Sequence, residues 1–404
     1  FEFLAMKFDT DAGISVETFG FAGRSALAMG AVSAELLRPF FIGRDPDYRE
    51  KHWHDYRRFN RAWNFTPAYA YAPYDIACHL AQAQAAELPL YKHLGAVRDA
   101  VPIYGSSLTL PTAQAYADEA KALQARGWAA YKLHPPADID IAFEAHRLCR
   151  EAVGPEFRLM SDPVNNFNFQ QNLHFGKMLE ELNYYWLEEP MFDECHGSMR
   201  ELTRALRIPI VGGETAENHP AGVAELVATR AVDIVRGDAS WSGGITGLMK
   251  TAHLAEAHGM NCEIHTAIYH PLELVNLHCA AAIRNNEFFE VLVPEELFAI
   301  GLKDPIDVRD GHAHLPQGPG LGTGDPEAGR AQGHLEEFLS RLHGGGAVGL
   351  DEEDGRRAQH GRVQPAVPGV ELEQDDTAHH GGSVELVQVS GAAVYQYTSQ
   401  PFQR

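Results

Sequence analysis

The stretch YYWLEEPMF, residues 184–192, ends an aromatic and apolar run on two adjacent glutamates and stops it with Pro190. Tyr184, Tyr185, Trp186 and Leu187 favour β structure and proline cannot continue a ladder, so the run reads as a short buried strand. Strand ends reach water, which by itself explains a terminal carboxylate. The alternation of side chains along a strand adds a direction: Leu187 and Glu189 point outward, and Glu188 points to the centre of the sheet.

Working outward from this strand, similar short runs recur. They are VPIYGSS, AAYKLH, FRLMSD, IPIVGGE, VDIVRGD, NCEIH and FFEVL, separated by helical stretches such as TAQAYADEAKALQARG and GGITGLMKTAHLAEAHG. In the last of these Ile245, Leu248, Met249 and Ala252 keep helical spacing. Eight strands alternating with helices between about residues 101 and 322 predict a (β/α) barrel, with a doubly wound sheet as the competing arrangement.

Each run ends on polar residues: Lys132 and His134, Asp162, Glu188, Glu214, Asp238, His265 and Glu290. From His134 onward the steps are 28, 26, 26, 24, 27 and 25 residues, the length of one βα unit. Each residue therefore occupies the same place on its own strand, the rim where barrel active sites are built. Lys132 and His134 share a face. Asp162, Glu188 and Glu214 converge from neighbouring strands, and two carboxylates about 4 Å apart repel by roughly 4 kcal/mol at an effective dielectric near 20. Such a group must be protonated or neutralised. All-oxygen donors without cysteine favour a hard divalent cation, Mg²⁺ first. Glu188 is then a metal ligand, and Glu189 is expected behind it or paired with a cation.

Composition narrows the class. A formal net charge of -22 over 404 residues argues against nucleic acid or an anionic membrane as the main partner. The five cysteines, 78, 149, 195, 262 and 279, are scattered without a CxxC pair, which fits a reducing cytoplasm. No apolar run of 18 residues and no basic-then-apolar leader is found, so neither a membrane span nor a signal peptide is expected. Residues 1–100 read as an α+β unit that opens on a hairpin, FEFLAMKFDTDAGISVETFG, turning at Asp11, Ala12 and Gly13. Residues 323–404 are rich in Gly, Gln, His and scattered charge; they read as a segment partly associated with the cap and then a poorly ordered tail.

The ordered set KxH, Asp, Glu in WLEEP, Glu in GGET, Asp in GDASWSGGITG, His in EIHTAIYHP and Glu in FFEVL resembles the mandelate racemase branch of the enolase superfamily. The resemblance covers about residues 1–322, including the cap phrase YAPYDIACHLAQAQAAELPLYKHLG. It implies a modified (β/α)7β TIM-type barrel, with an N-terminal α+β capping domain and abstraction of a proton α to a carboxylate. It also implies Asp162, Glu188 and Glu214 as magnesium ligands. Lys132 adds positive charge near the substrate carboxylate, and His134 stands where a base belongs. Asp238 and His265 resemble the family's dyad, and Glu290 the acid that hydrogen-bonds the developing enolate. The second-strand motif is KxH where KxK is frequent. Because the chain opens near the second cap strand, the first strand and the lid loop are expected to be missing.

Other residues carry less. His270 precedes Pro271 and reads as a helix start rather than as the partner of His265 in a zinc pair. His312 and His314 read as a solvated hairpin. Trp241 either walls the pocket or fills a loop, and Asn165 either touches a substrate hydroxyl or makes a turn. The leading expectation is a lyase, a hydro-lyase that converts a sugar acid to a 2-keto-3-deoxy acid, cytoplasmic and homo-oligomeric like its relatives. The rivals are a racemase or epimerase of a 2-hydroxy acid, and a non-catalytic scaffold that keeps the metal site.

Overall fold

The computed structural model describes residues 2–23, 25–61, 66–216, 220–266, 270–299, 302, 304–323 and 386–396. The hairpin forms as β1 (Glu2–Thr10) and β2 (Ser15–Gly23), paired antiparallel with Asp9 opposite Ser15. The eight barrel strands are β3 (Ala100–Ser106), β4 (Ala130–Leu133), β5 (Arg158–Ser161), β6 (Leu187–Glu188), β7 (Ile210–Gly212), β8 (Ile234–Gly237), β9 (Cys262–Ile264) and β10 (Phe289–Leu292). Each stands where a sequence run predicts it. Parallel ladders join β3 through β9 in chain order, and β10 pairs with β3. A hairpin of β11 (Asp307–Arg309) and β12 (His312–His314) adds to the N-terminal end of β3, so the HxH pair lies away from the strand ends that carry the acids.

The barrel has a seam. No ladder joins β9 to β10. Side chains take over there: Asn286 Oδ1 accepts from the Ile264 amide, and the Glu263 carboxylate accepts from the amides of Glu287 and Phe288. The backbone donors of the seam are therefore satisfied without strand pairing.

Alternation stacks two layers inside the barrel. Tyr104, Ala130, Met160, Trp186, Val211 and Phe288 pack together as an apolar floor. Two residues further along the same strands, Lys132, Asp162, Glu188 and Glu290 form the polar layer above it, all buried. The floor excludes water from below, which strengthens every charge interaction above.

A third strand, β13 (Leu386–Gln396), pairs antiparallel with β1, opposite the side taken by β2. It is the far end of the C-terminal segment, where a poorly ordered tail is expected, that adds a strand to the cap sheet. The rest of the tail after Thr323 lies outside the described residues. Among the described residues no single helix is long and apolar enough to cross a membrane, and the five cysteines are free.

A buried carboxylate is among the groups that tie the cap to the barrel. The helix Gly244–Ala257 follows the Asp238 loop and has Gly243 at its N-cap, with no side chain to bond its first amides. Asp75, from the cap helix Ala68–Ala85, supplies the missing acceptor: its Oδ2 lies 2.9 Å from the Thr246 amide. Gly244 has a φ of +88, and a Cβ there would lie 2.4 Å from that of Asp75, so only glycine admits the latch. Burial pushes the Asp75 carboxyl up to about 6 from 3.8, against the lowering effect of its bonds to Thr246. Its contribution to stability is full below pH 3.8 and is lost as pH rises through about 6, a change of about 3 kcal/mol. Asp75→Asn keeps an acceptor but cannot ionise. Thermal melts across this window should show the wild type losing stability relative to the variant as pH rises; parallel curves would contradict the latch.

Candidate active site

The strand ends bring Lys132, His134, Asp162, Glu188, Glu214, Asp238, His265 and Glu290 to one end of the barrel. Glu188 sits at the centre. Its Oε1 lies 2.7 Å from Lys132 Nζ and 2.9 Å from an Arg236 nitrogen, while its Oε2 accepts from Trp186 Nε1 at 3.0 Å. Strand parity thus places Glu188 inward. Its neighbour Glu189 is also buried, at a φ of +42, with Oε1 accepting from the Gly213 amide at 3.2 Å. Of the two expectations for Glu189, it stands behind the site and not against a cation: among the described residues its Oε2 has no hydrogen-bond partner, and burial followed by the nearby Asp193 charge raises its pKa well above the carboxylate range.

Arg236 is the functional residue that sequence reading missed. It is fully buried on β8 and reaches Glu188, Glu290 (2.7 Å) and Glu214 (3.4 Å), with Tyr104 OH at 3.3 Å. The signal was available, because Arg236 precedes Asp238 by two residues and shares its inward parity. Burial alone would lower the pKa of both Lys132 and Arg236, yet Glu188 and Glu290 outweigh it and hold both cations charged.

Glu290, expected as the acid that hydrogen-bonds the developing enolate, stands between two cations. Lys132 lies 2.8 Å from one oxygen and Arg236 2.7 Å from the other. Although burial opposes ionisation, these two cations push its pKa well below the usual range. His134 is also committed. Nδ1 lies 2.6 Å from the Ser107 carbonyl and Nε2 3.1 Å from Asp162 Oδ2, so both nitrogens face acceptors. Burial would lower its pKa, but the Asp162 charge and hydrogen bond raise it.

His265 is arranged differently. Its Nδ1 lies 3.0 Å from Asp238 Oδ2, and Asp238 Oδ1 accepts from both the amide and the hydroxyl of Ser240 at 2.6 Å. Nδ1 therefore carries the proton and leaves Nε2 as the acceptor, 3.9 Å from Glu214. Burial opposes protonation, whereas Glu214 and Asp238 raise the pKa above the ordinary 6.5. Trp241 stacks on the imidazole at 4.3 Å between centroids and 30°, and on its other sides meets Phe21 and Tyr69 of the cap. It is therefore a wall of the site rather than a loop filler. Asn165 has a φ of +59, donates its amide to Glu189 O, and leaves Oδ1 without a partner; the turn here is made by Asp162, whose Oδ1 accepts from Val164 N. His270 opens the helix His270–Ala282.

The donor set suits a hard divalent cation. Asp162, Glu188, Glu214 and Glu290 offer only oxygen donors, the type such an ion prefers, and Lys132 and Arg236 now lie against them. Lys132 and Arg236 lie between the carboxylates, and among the described residues no three acids or histidines are grouped tightly enough to ligate one ion.

Known proteins resemble this chain in sequence and fold. A family model described as Enolase C-terminal domain-like matches residues 115–325. The arabinonate dehydratase of Saccharolobus solfataricus is 28% identical over 328 residues, 80% of this chain and 87% of that protein. The L-talarate/galactarate dehydratase of Salmonella typhimurium is 33% identical over 261 residues, and the match spans 63% of this chain and 62% of that one. The crystal structure of D-glucarate dehydratase from Agrobacterium tumefaciens, complexed with magnesium, superposes with a TM-score of 0.69 at 30% identity, covering 81% of this chain and 95% of that one. With seven strand ends carrying the expected acids and bases in order, and with a family model covering more than half its length, the chain belongs to the enolase superfamily, in the mandelate racemase and muconate lactonizing branch.

Proposed function

We propose that the protein is a magnesium-dependent hydro-lyase that removes water from a sugar acid to give a 2-keto-3-deoxy acid. The observation that carries this reading is the asymmetry between the two histidines. His265 has Asp238 on Nδ1 at 3.0 Å and keeps Nε2 at 3.9 Å from Glu214, beyond hydrogen-bond distance, whereas both nitrogens of His134 lie within hydrogen-bond distance of acceptors. Racemisation needs two opposed bases; dehydration is served by one. The dehydratase names of the relatives support the same class.

Magnesium would be held by Asp162, Glu188 and Glu214, where it would supply Lewis-acid stabilisation of the substrate carboxylate. The chain's own residues do the rest. His265 Nε2 takes the proton from C2, and the C–H electron pair moves into the carboxylate. Lys132, kept charged by its acids, offsets that developing charge. The C3–O bond then breaks, the imidazolium gives its proton to the departing hydroxyl, and water leaves. The resulting enol takes a proton at C3, gives up its O–H proton to solvent and becomes the 2-keto acid. Asp238 holds the tautomer throughout, and Trp241 fixes the plane of the ring.

The test is a panel of sugar acids incubated with protein and Mg²⁺, scored for 2-keto acid. Keto acid from one or a few members is expected. Interconversion of stereoisomers without keto acid would show a racemase, and inertness toward every acid with Mg²⁺ bound would show a scaffold.

A further inference from the structure

We propose that Asp193 is the positioning residue that aims Glu214 into the site, an inference that rests on the reading of Glu214 as a metal ligand. Glu214 lies two residues beyond the end of β7, on a loop, where strand geometry no longer fixes its direction. The residues on either side of it are held by one side chain. Asp193 Oδ1 accepts from the Gly213 amide at 2.9 Å, and Asp193 Oδ2 accepts from the Thr215 hydroxyl at 2.9 Å. Asp193 is itself buried, so neither bond competes with water. Gly213, at a φ of +103, makes the corner that only glycine takes easily.

The connection has a mechanical sense. Asp193 sits in the loop after β6, five residues beyond Glu188. The loop that follows one carboxylate of the site therefore grips the loop that carries the next. Glu189 reinforces the grip by accepting from the same Gly213 amide. A ligand carried on a strand needs no such clamp; one on a loop does, because a small rotation about the Gly213 corner would swing the carboxylate out of the site. Asp193 touches no reacting atom in this account. It acts through Glu214.

Calorimetry with Mg²⁺ on the full chain tests this without reference to turnover. Asp193→Ala should weaken Mg²⁺ binding by about 10–100-fold, the usual cost of removing a group that orients a ligand. Asp193→Asn should stay close to wild type, because its carbonyl still accepts from Gly213 and its amide can donate to the Thr215 oxygen. Thr215→Val, which removes only the hydroxyl, should lose several-fold and serves as the readout if Asp193→Ala does not fold. Wild-type affinity in both Asp193→Ala and Thr215→Val would overturn the inference. Equal losses in Asp193→Asn and Asp193→Ala would also overturn it, since charge and not position would then be the cause. A wild type that binds no Mg²⁺ would overturn the metal reading itself, and its own titration distinguishes that failure.

Discussion

His265→Asn should lower kcat/KM for keto-acid formation by about 10²–10⁴-fold, the span over which a positioned acid–base group contributes. Asparagine preserves the approximate shape and the hydrogen bond to Asp238 but has no basic nitrogen, so the loss reports chemistry rather than packing. Asp238→Asn should also cost activity, by a different route. In the variant the amide oxygen can stay with the two Ser240 donors, which turns the NH2 toward Nδ1 and favours the opposite tautomer, with hydrogen on Nε2. The pH profile separates the two effects. In the wild type His265 must be neutral to act as base, and Glu214 and Asp238 raise its pKa above 6.5, so activity should rise with pH through that raised value. Asp238→Asn removes one raising charge and should move the acidic limb to lower pH. An unmoved limb would detach Asp238 from the imidazole.

Arg236→Met should be the most damaging substitution to the fold. The guanidinium touches Glu188, Glu214 and Glu290 from a position with no solvent exposure. Removing one partner of a buried ion pair typically costs about 3–5 kcal/mol, because the remaining charges are left uncompensated. Lys132 alone would then face the carboxylates, and a divalent cation would become the main source of compensation. Melting with and without Mg²⁺ should accordingly show a large drop in the variant and a greater rescue by the ion than in the wild type. Arg236→Lys should fall between, since an ammonium cannot reach three carboxylates as a planar fork does. A Tm unchanged in Arg236→Met would show that the carboxylates are not held charged by this residue.

What the sequence reveals follows the periods it contains. The step of one βα unit and the two-residue strand alternation set Glu188 inward and Glu189 apart, and they place eight strand ends at a common rim. Arg236 obeys the same alternation, but a cation in a strand centre is conspicuous only once three acids are known to surround it. Asp193 has no period to betray it, because its role depends on the loop after the next strand. The seam between β9 and β10 is invisible for a similar reason: Asn286 and Glu263 replace a ladder by side-chain bonds that no spacing rule encodes. The strand Leu386–Gln396 is hidden by the Gly- and Gln-rich stretch before it, and its partner β1 lies at the other end of the chain. The protonation of Glu290 is likewise a property of its neighbours, Lys132 and Arg236, and not of its motif.

The central claim is that His265 removes the proton α to a carboxylate and that the same turnover expels water. NMR in D₂O with Mg²⁺ and a sugar acid accepted in the panel measures this directly. The account predicts a 2-keto-3-deoxy product carrying solvent deuterium at C3, formed by the wild type and absent with His265→Asn. Deuterium appearing at C2 of recovered starting acid in both configurations, with no keto acid formed, would contradict it.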